Sequence, residues 1–215
     1  MSRGTSQSPA GPRTMLAFVL DLPNACSLAG LLAALLGLFF AIRGVYPAAL
    51  MALLWAVVCD WSDGLIARRM NRRTADQRAF GAQLDSLIDV VSFSVAPALL
   101  LLSVGRFSPW FIPGALVLLA TGVVRLSYFN VFGLLNVSTY RGLALDNNVL
   151  VLALLFVFEP LVGQAAFAAV LYIVLMVLAA LNVAPITTPK LGGRWYYAVI
   201  LYALVLSGIY ALQLL

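Results

Sequence analysis

Residues 60–89 read DWSDGLIARRMNRRTADQRAFGAQLDSLID. Two carboxylate pairs bracket the stretch, Asp60 with Asp63 at i and i+3 and Asp85 with Asp89 at i and i+4. These four make up half of the chain's eight acidic residues, and five arginines lie between the pairs. On either side the sequence is nearly pure hydrocarbon: YPAALMALLWAVVC before it, VVSFSVAPALLLLSV after it. Helical flanks would put each pair on one face of its helix. Carboxylates in so apolar a setting are costly unless something neutralises them. Hard divalent cations, which take oxygen ligands, would do so. The competing reading, a solvated helix end that simply carries charge, sits poorly with apolar flanks on both sides.

The rest of the chain has the same character. Of its 215 residues 63% are hydrophobic and 10% are charged, against about 25% charged in a soluble domain. Apolar runs long enough to cross a bilayer recur, about 20 residues each. We read seven spans, at about 24–43, 46–68, 82–104, 110–136, 147–162, 164–184 and 194–213. The fifth is the shortest and is interrupted at Glu159–Pro160. The runs are continuous rather than alternating, which excludes a β-barrel. The fold class is therefore all-α: one polytopic transmembrane helical bundle over residues 14–215, preceded by a disordered Ser-, Gly- and Pro-rich tail at 1–13. The stretch Met15 to Leu22, closed by Pro23, reads as a short interfacial helix. No small-residue cleavage site follows the tail, so a signal peptide is not expected.

Cys26 and Cys59 lie in apolar stretches and read as packing residues, with no disulfide framework. The chain has no histidine, so a base would be a carboxylate rather than an imidazole. With the N-terminus placed in the cytoplasm, ten basic residues fall on that side: Arg3, Arg13, Arg68, Arg69, Arg72, Arg73, Arg78, Arg141, Lys190 and Arg194. Only Arg43 and Arg106 fall outside. The positive-inside bias then brings the carboxylate-bearing ends of spans two and three together at the cytoplasmic face of a prokaryotic-type membrane. Arg125 lies inside span four, toward that same end, where an arginine needs a partner such as a carboxylate or a lipid phosphate.

Gly64 follows Asp63, and Gly81 precedes Asp85 by one turn. Glycines let a ligand or another backbone come close. Arg68 and its neighbours put positive charge at the mouth, suited to phosphate oxygens. Paired metals clamp the attacking and leaving oxygens of a phosphoryl displacement, and a carboxylate can take a proton from an attacking hydroxyl. The residues thus point to metal-dependent phosphoryl-type transfer at a membrane surface. A transporter with an acidic cation site is the rival class. Internal repeats and midplane charges would mark it, and the sequence shows neither.

Asp60-x-x-Asp63-Gly64-x-x-Ala67-Arg68 followed by Gly81-x-x-x-Asp85-x-x-x-Asp89 resembles the signature of the CDP-alcohol phosphotransferases. Leu22-Pro23-Asn24 ahead of span one is also similar. Within that family, FGAQLDSL at 80–87, VVSF at 90–93 through Ala96-Pro97-Ala98, and RLSYFN at 125–130 resemble phosphatidylserine synthases. The resemblance covers about residues 22–190 and implies a six-helix core, with one extra C-terminal helix beyond it. It implies CDP-diacylglycerol as donor and a small polar alcohol as acceptor, L-serine by default, with the phospholipid and CMP as products. Other acceptors (a glycerol or inositol phosphate, an unusual alcohol) and a CDP-linked head group with diacylglycerol as acceptor stay open.

Carried onto this chain, the resemblance implies that Asp60, Asp63, Asp85 and Asp89 hold two divalent ions, Mg²⁺ or Mn²⁺. Asp89 is the base, and Gly64, Ala67, Arg68 and Gly81 contact the nucleotide donor. It also implies a homodimer in membrane lipid and no nucleic-acid partner. Two departures stand out. Twelve residues separate Arg68 from Gly81, more than is usual in the family. Ala144 replaces a proline of the stretch before span five, and Asp146-Asn147-Asn148 follow. Arg125, Arg141, Asp146 and Asn147 are therefore candidate acceptor or phosphate contacts: the carboxylate for an ammonium group, the amides for a carboxylate or hydroxyls. The plainer reading of Asp146 is a helix N-cap.

Overall fold

In lipid, backbone polar groups have to be satisfied within the segment, so an apolar chain of this length folds as helices. The computed structural model describes residues 14–70, 72–133, 139–189 and 192–215. The tail at 1–13, Lys190 and the end of the fourth predicted span lie outside those residues.

The helices are α1 (Met15–Val19), α2 (Leu22–Ile42), α3 (Tyr46–Arg69), α4 (Ala75–Val90), α5 (Ala96–Val104), α6 (Ile112–Phe132), α7 (Asp146–Leu155), α8 (Gln164–Val183) and α9 (Arg194–Gln213). A π turn, Val91–Val95, joins α4 to α5 in one continuous rod. Among the described residues, six helices are long and apolar enough to cross a membrane. The fifth predicted span is α7 continued by a 3₁₀ segment, Phe156–Leu161, which holds Pro160. At 1.5 Å per α residue and 2.0 Å per 3₁₀ residue this path is about 27 Å long, close to a hydrocarbon core of about 30 Å. The tighter winding lets a short segment reach across.

Two boundaries differ from the sequence reading. The rod of the third span starts at Ala75, well before residue 82. Thr74 and Gln77 form a reciprocal capping box, Gln77 N to Thr74 Oγ1 at 3.2 Å and Thr74 N to Gln77 Oε1 at 2.9 Å. That cap supports a polar first turn that hydropathy alone does not register. The interfacial helix α1 ends at Val19, and Pro23 falls inside the first turn of α2 instead of closing α1. Proline fits there because its missing N–H would have had no partner in that turn. Phe18 stacks on Phe80 at 4.8 Å, fastening α1 to α4.

α2 packs on α3 through a stripe of small buried residues: Ser27, Gly30, Ala34, Gly37 and Ala41. A Cβ on Gly37 would lie 2.7 Å from Leu53 Cγ, so the two backbones approach as closely as glycine permits. Leu50, Leu53, Leu54 and Val57 of α3 form the centre of the core with Leu100, Leu101, Leu152, Leu171 and Leu175. Leu32, Leu116, Ile173 and Leu201 face outward, as lipid contact requires. Exposed aromatics stand at opposite ends, Trp110 before α6 and Trp195 with Tyr197 in α9, as at the two membrane interfaces.

Polar bonds tie the bundle together inside. Pro97 has no N–H to give the carbonyl one turn earlier, and Phe93 O accepts from Asn148 Nδ2 at 3.2 Å instead. Asn182 Nδ2 in turn donates to Asn148 Oδ1 at 3.3 Å. Asn148, read from sequence as a possible acceptor contact, is thus a buried link between the π turn, α7 and α8. The helix beyond the family resemblance, α9, is fastened to α7 by Tyr202 Oη, which donates to Leu150 O at 2.7 Å, and by Tyr210 Oη, which donates to Ala153 O. At the end where α3 finishes and α4 starts, Thr139–Arg141 pairs antiparallel with Thr187–Pro189, forming β1 and β2. Gly142 follows at φ +74°, with its N–H on Ile186 O at 2.9 Å.

Candidate active site

A cavity of about 380 Å³ opens beside this small ribbon. Its floor carries Asp60, Asp63, Asp85 and Asp89. Carboxylate oxygens of Asp60, Asp85 and Asp89 lie within 4.8 Å of one another. The i, i+4 spacing on α4 points Asp85 and Asp89 the same way, and the last turns of α3 bring Asp60 to meet them. Asp63 stands apart from that trio, with its Oδ2 taken by Ser27 Oγ from α2. Asp89 Oδ1 is buried with no hydrogen-bond partner. A clustered trio of carboxylates with an orphaned oxygen fits a hard cation, which takes oxygen ligands and offsets their mutual repulsion.

Arg125 projects from α6 into the same cavity. It is 9% exposed, and its Nε has no partner. Its guanidinium carbon lies 5.5 Å from the Phe129 ring and 5.7 Å from the Tyr140 ring. Burial raises the pKa of Tyr140, on β1, against the opposing pull of Arg125, so the phenol keeps its proton. Asp146 and Asn147 line the same cavity from the start of α7. Trp61 Nε1 donates to Asp146 Oδ2 at 2.8 Å, while Asn147 N and Nδ2 donate to Oδ1 at 3.0 and 3.1 Å.

The other expected site residues divide. Gly64 and Arg68 line the cavity, and Arg68 Nε folds back onto Gly64 O at 3.0 Å. Ala67, Gly81 and Arg141 are not among the residues lining it. Arg141 is exposed and donates from Nη1 to Tyr128 Oη at 3.4 Å. At Gly81 a Cβ would lie 2.6 Å from Arg73 Nη2 and 2.8 Å from Asn24 Oδ1. The space that glycine leaves is filled by side chains of this chain.

The sequence reading overlooked several residues. Ser27 and Trp61 hold Asp63 and Asp146, and Tyr196 of α9 pairs with Ser62 at 2.9 Å. Ser62 Oγ also donates to Val58 O at 2.5 Å. A hydroxyl has one proton, so Tyr196 Oη is the donor to Ser62. Trp61 and Ser62 lie between the two motif aspartates, and that position was the available signal.

Residues 20–186 match the family model described as CDP-alcohol phosphatidyltransferase. The chain belongs to this family. Among relatives, it is 38% identical over 114 residues to archaetidylserine synthase of Methanothermobacter thermautotrophicus, covering 52% of this chain and 48% of that one. It is 38% identical over 97 residues to CDP-diacylglycerol–serine O-phosphatidyltransferase of Methanocaldococcus jannaschii, covering 45% and 44%. The protein of that name from Mycobacterium tuberculosis is 35% identical over 111 residues, covering 51% and 37%. The chain thus spans about half or less of the length of the curated relatives it matches. In this member of the family, the trio of aspartates lies within the matched residues and α9 lies beyond them.

Proposed function

We propose that the protein transfers the phosphatidyl group of a CDP-linked lipid to the hydroxyl of a small polar alcohol, L-serine by default, and releases CMP. The observation that supports this most directly is the convergence of Asp60, Asp85 and Asp89 within 4.8 Å at the floor of a cavity. These three carboxylates would hold a divalent cation, Mg²⁺ or Mn²⁺. Asp63, on the same floor, would help to hold a second. Bound there, such ions supply charge neutralisation for the pyrophosphate and a Lewis acid for the displacement. The chain's own residues do the rest. Asp89 takes the proton of the acceptor hydroxyl. That oxygen bonds to the phosphorus carrying the lipid, the pyrophosphate P–O bond breaks, and CMP leaves. Gly64 and Arg68 flank the nucleotide at the mouth.

Charge supports a cytoplasmic site and a cytoplasmic N-terminus, since Arg68, Arg69, Arg72, Arg73, Arg78, Arg141 and Arg194 cluster at the site end and Arg43 and Arg106 lie at the other. We take the working form to be a homodimer in lipid, a state that native mass spectrometry from nanodiscs would read.

The test is purified protein in lipid, given CDP-diacylglycerol or its archaeol counterpart, Mg²⁺ or Mn²⁺ and a panel of alcohols, with mass spectrometry of the product. Alcohol-dependent release of CMP with a matching phospholipid is expected. No CMP release with any alcohol overturns the reading.

A further inference from the structure

The buried guanidinium of Arg125 has no acidic partner bonded to it, although it faces a wall of carboxylates. Asp89, Asp60 and Asp146 are all near enough to act on it electrostatically, yet among the described residues none forms an ion pair with it. Two aromatic rings pack against the guanidinium, and its Nε points nowhere. A buried charge left so is expensive unless a ligand completes it. The Nε edge of a guanidinium suits a planar anion.

In the same cavity, Asp146 has the complementary vacancy. A carboxylate offers about four acceptor sites. Oδ1 uses two, on Asn147 N and Nδ2, and Oδ2 uses one, on Trp61 Nε1. One lone pair of Oδ2 remains. The Trp61 bond also fixes the orientation of the carboxylate, so the remaining acceptor direction is set rather than mobile. Both side chains line the cavity that holds the aspartate trio. Asn147 does not compete for the ligand: its amide N–H groups are spent on Ala144 O and Asp146 Oδ1.

We infer that Arg125 and Asp146 together form the acceptor subsite and read a zwitterionic amino alcohol, Arg125 holding its carboxylate and Asp146 its ammonium group. This rests on the transferase reading and names how that site chooses its acceptor. The hydroxyl of such a molecule is then left to face Asp89. The amide contacts expected from the sequence at Asn147 and Asn148 play no part in this subsite. Trp61 acts through Asp146 and is a positioning residue.

The experiment compares three alcohols that share one hydroxyethyl skeleton: L-serine with both groups, ethanolamine with the ammonium alone, 3-hydroxypropanoate with the carboxylate alone. Wild-type kcat/KM should favour L-serine over each by about tenfold or more, the size of one charge-assisted hydrogen bond. Arg125→Gln should lower the serine-to-ethanolamine ratio by about 10- to 100-fold and leave the serine-to-3-hydroxypropanoate ratio in place. Asp146→Asn should do the reverse. Trp61→Phe should follow Asp146→Asn more weakly, and with Arg125→Lys it serves if the first variants do not fold.

Equal losses for all three acceptors in each variant would make these residues structural and overturn the subsite. A wild type that prefers glycerol 3-phosphate would also overturn it, by making Arg125 a phosphate anchor. Transfer to some other alcohol, with these three ignored, overturns the subsite and keeps the transferase reading. No CMP release with any alcohol removes both.

Discussion

Arg73 Nη2 lies 2.7 Å from Asp21 Oδ2, and the two side chains are 7% and 2% exposed. The pair joins the turn before α2 to the loop before α4. Arg73 also donates from Nε to Asp21, and from Nη2 to Asn24 Oδ1 at 3.2 Å and Gln77 O at 3.0 Å. Removing one partner of such a pair leaves a buried charge uncompensated, at a cost of about 3–5 kcal/mol. Arg73→Gln should lose stability on that scale in detergent unfolding. The double variant Arg73→Gln with Asp21→Asn should recover part of the loss, because no lone charge remains.

Gly81 gives a sharper test of the same neighbourhood. A methyl there would push on Arg73 Nη2 and Asn24 Oδ1, both already bonded. Gly81→Ala should therefore lower the melting temperature. A variant that melts like the wild type but shows a higher KM for the CDP-lipid would return Gly81 to the nucleotide-contact role implied by the family resemblance.

The aspartate trio makes opposite demands on stability and activity. Three carboxylates within 4.8 Å repel one another when no cation is bound. Stripping metal with EDTA should lower the melting temperature of the wild type. Asp89→Asn should melt higher than the wild type in EDTA and gain less on adding Mg²⁺ or Mn²⁺. It should also lose CMP release by about 10²-fold or more, as expected for removal of a general base. Retained turnover would remove Asp89 from that role.

Asn148 is 1% exposed and bonded on both sides, to Phe93 O and from Asn182 Nδ2. Asn148→Leu would leave a buried carbonyl and a buried amide unpaired, costing about 1–3 kcal/mol for each. A fall in thermal stability with an unchanged serine-to-ethanolamine ratio is the expected result. A changed ratio would bring Asn148 back to the acceptor side.

Much of this was legible in the sequence. The seven segments follow from hydropathy, and the pairs at 60/63 and 85/89 locate the site because carboxylates are rare in such a chain. What escaped depends on distance in the folded chain. Nothing local tells that Ser27 meets Asp63 or that Trp61 meets Asp146, 85 positions away. Gly81 was ambiguous for the same reason: a glycine announces close approach but not by what, and in the folded chain Arg73 and Asn24 come close to it. The polar start of α4 escaped because a capping box, not apolar content, begins that helix.

The widened turn at Val91–Val95 has a consequence for how this chain can change length. Each π turn takes in one residue beyond the α repeat, which offsets everything downstream by about 100° around the axis. Asp85 and Asp89 lie above the offset, and the inward-facing Leu100, Leu101 and Val104 lie below it. Losing a single residue from this turn would re-phase the rod, so that either the acids rotate off the cavity or the leucines rotate out into lipid. The number of residues between Asp89 and Pro97 is therefore constrained independently of which residues they are.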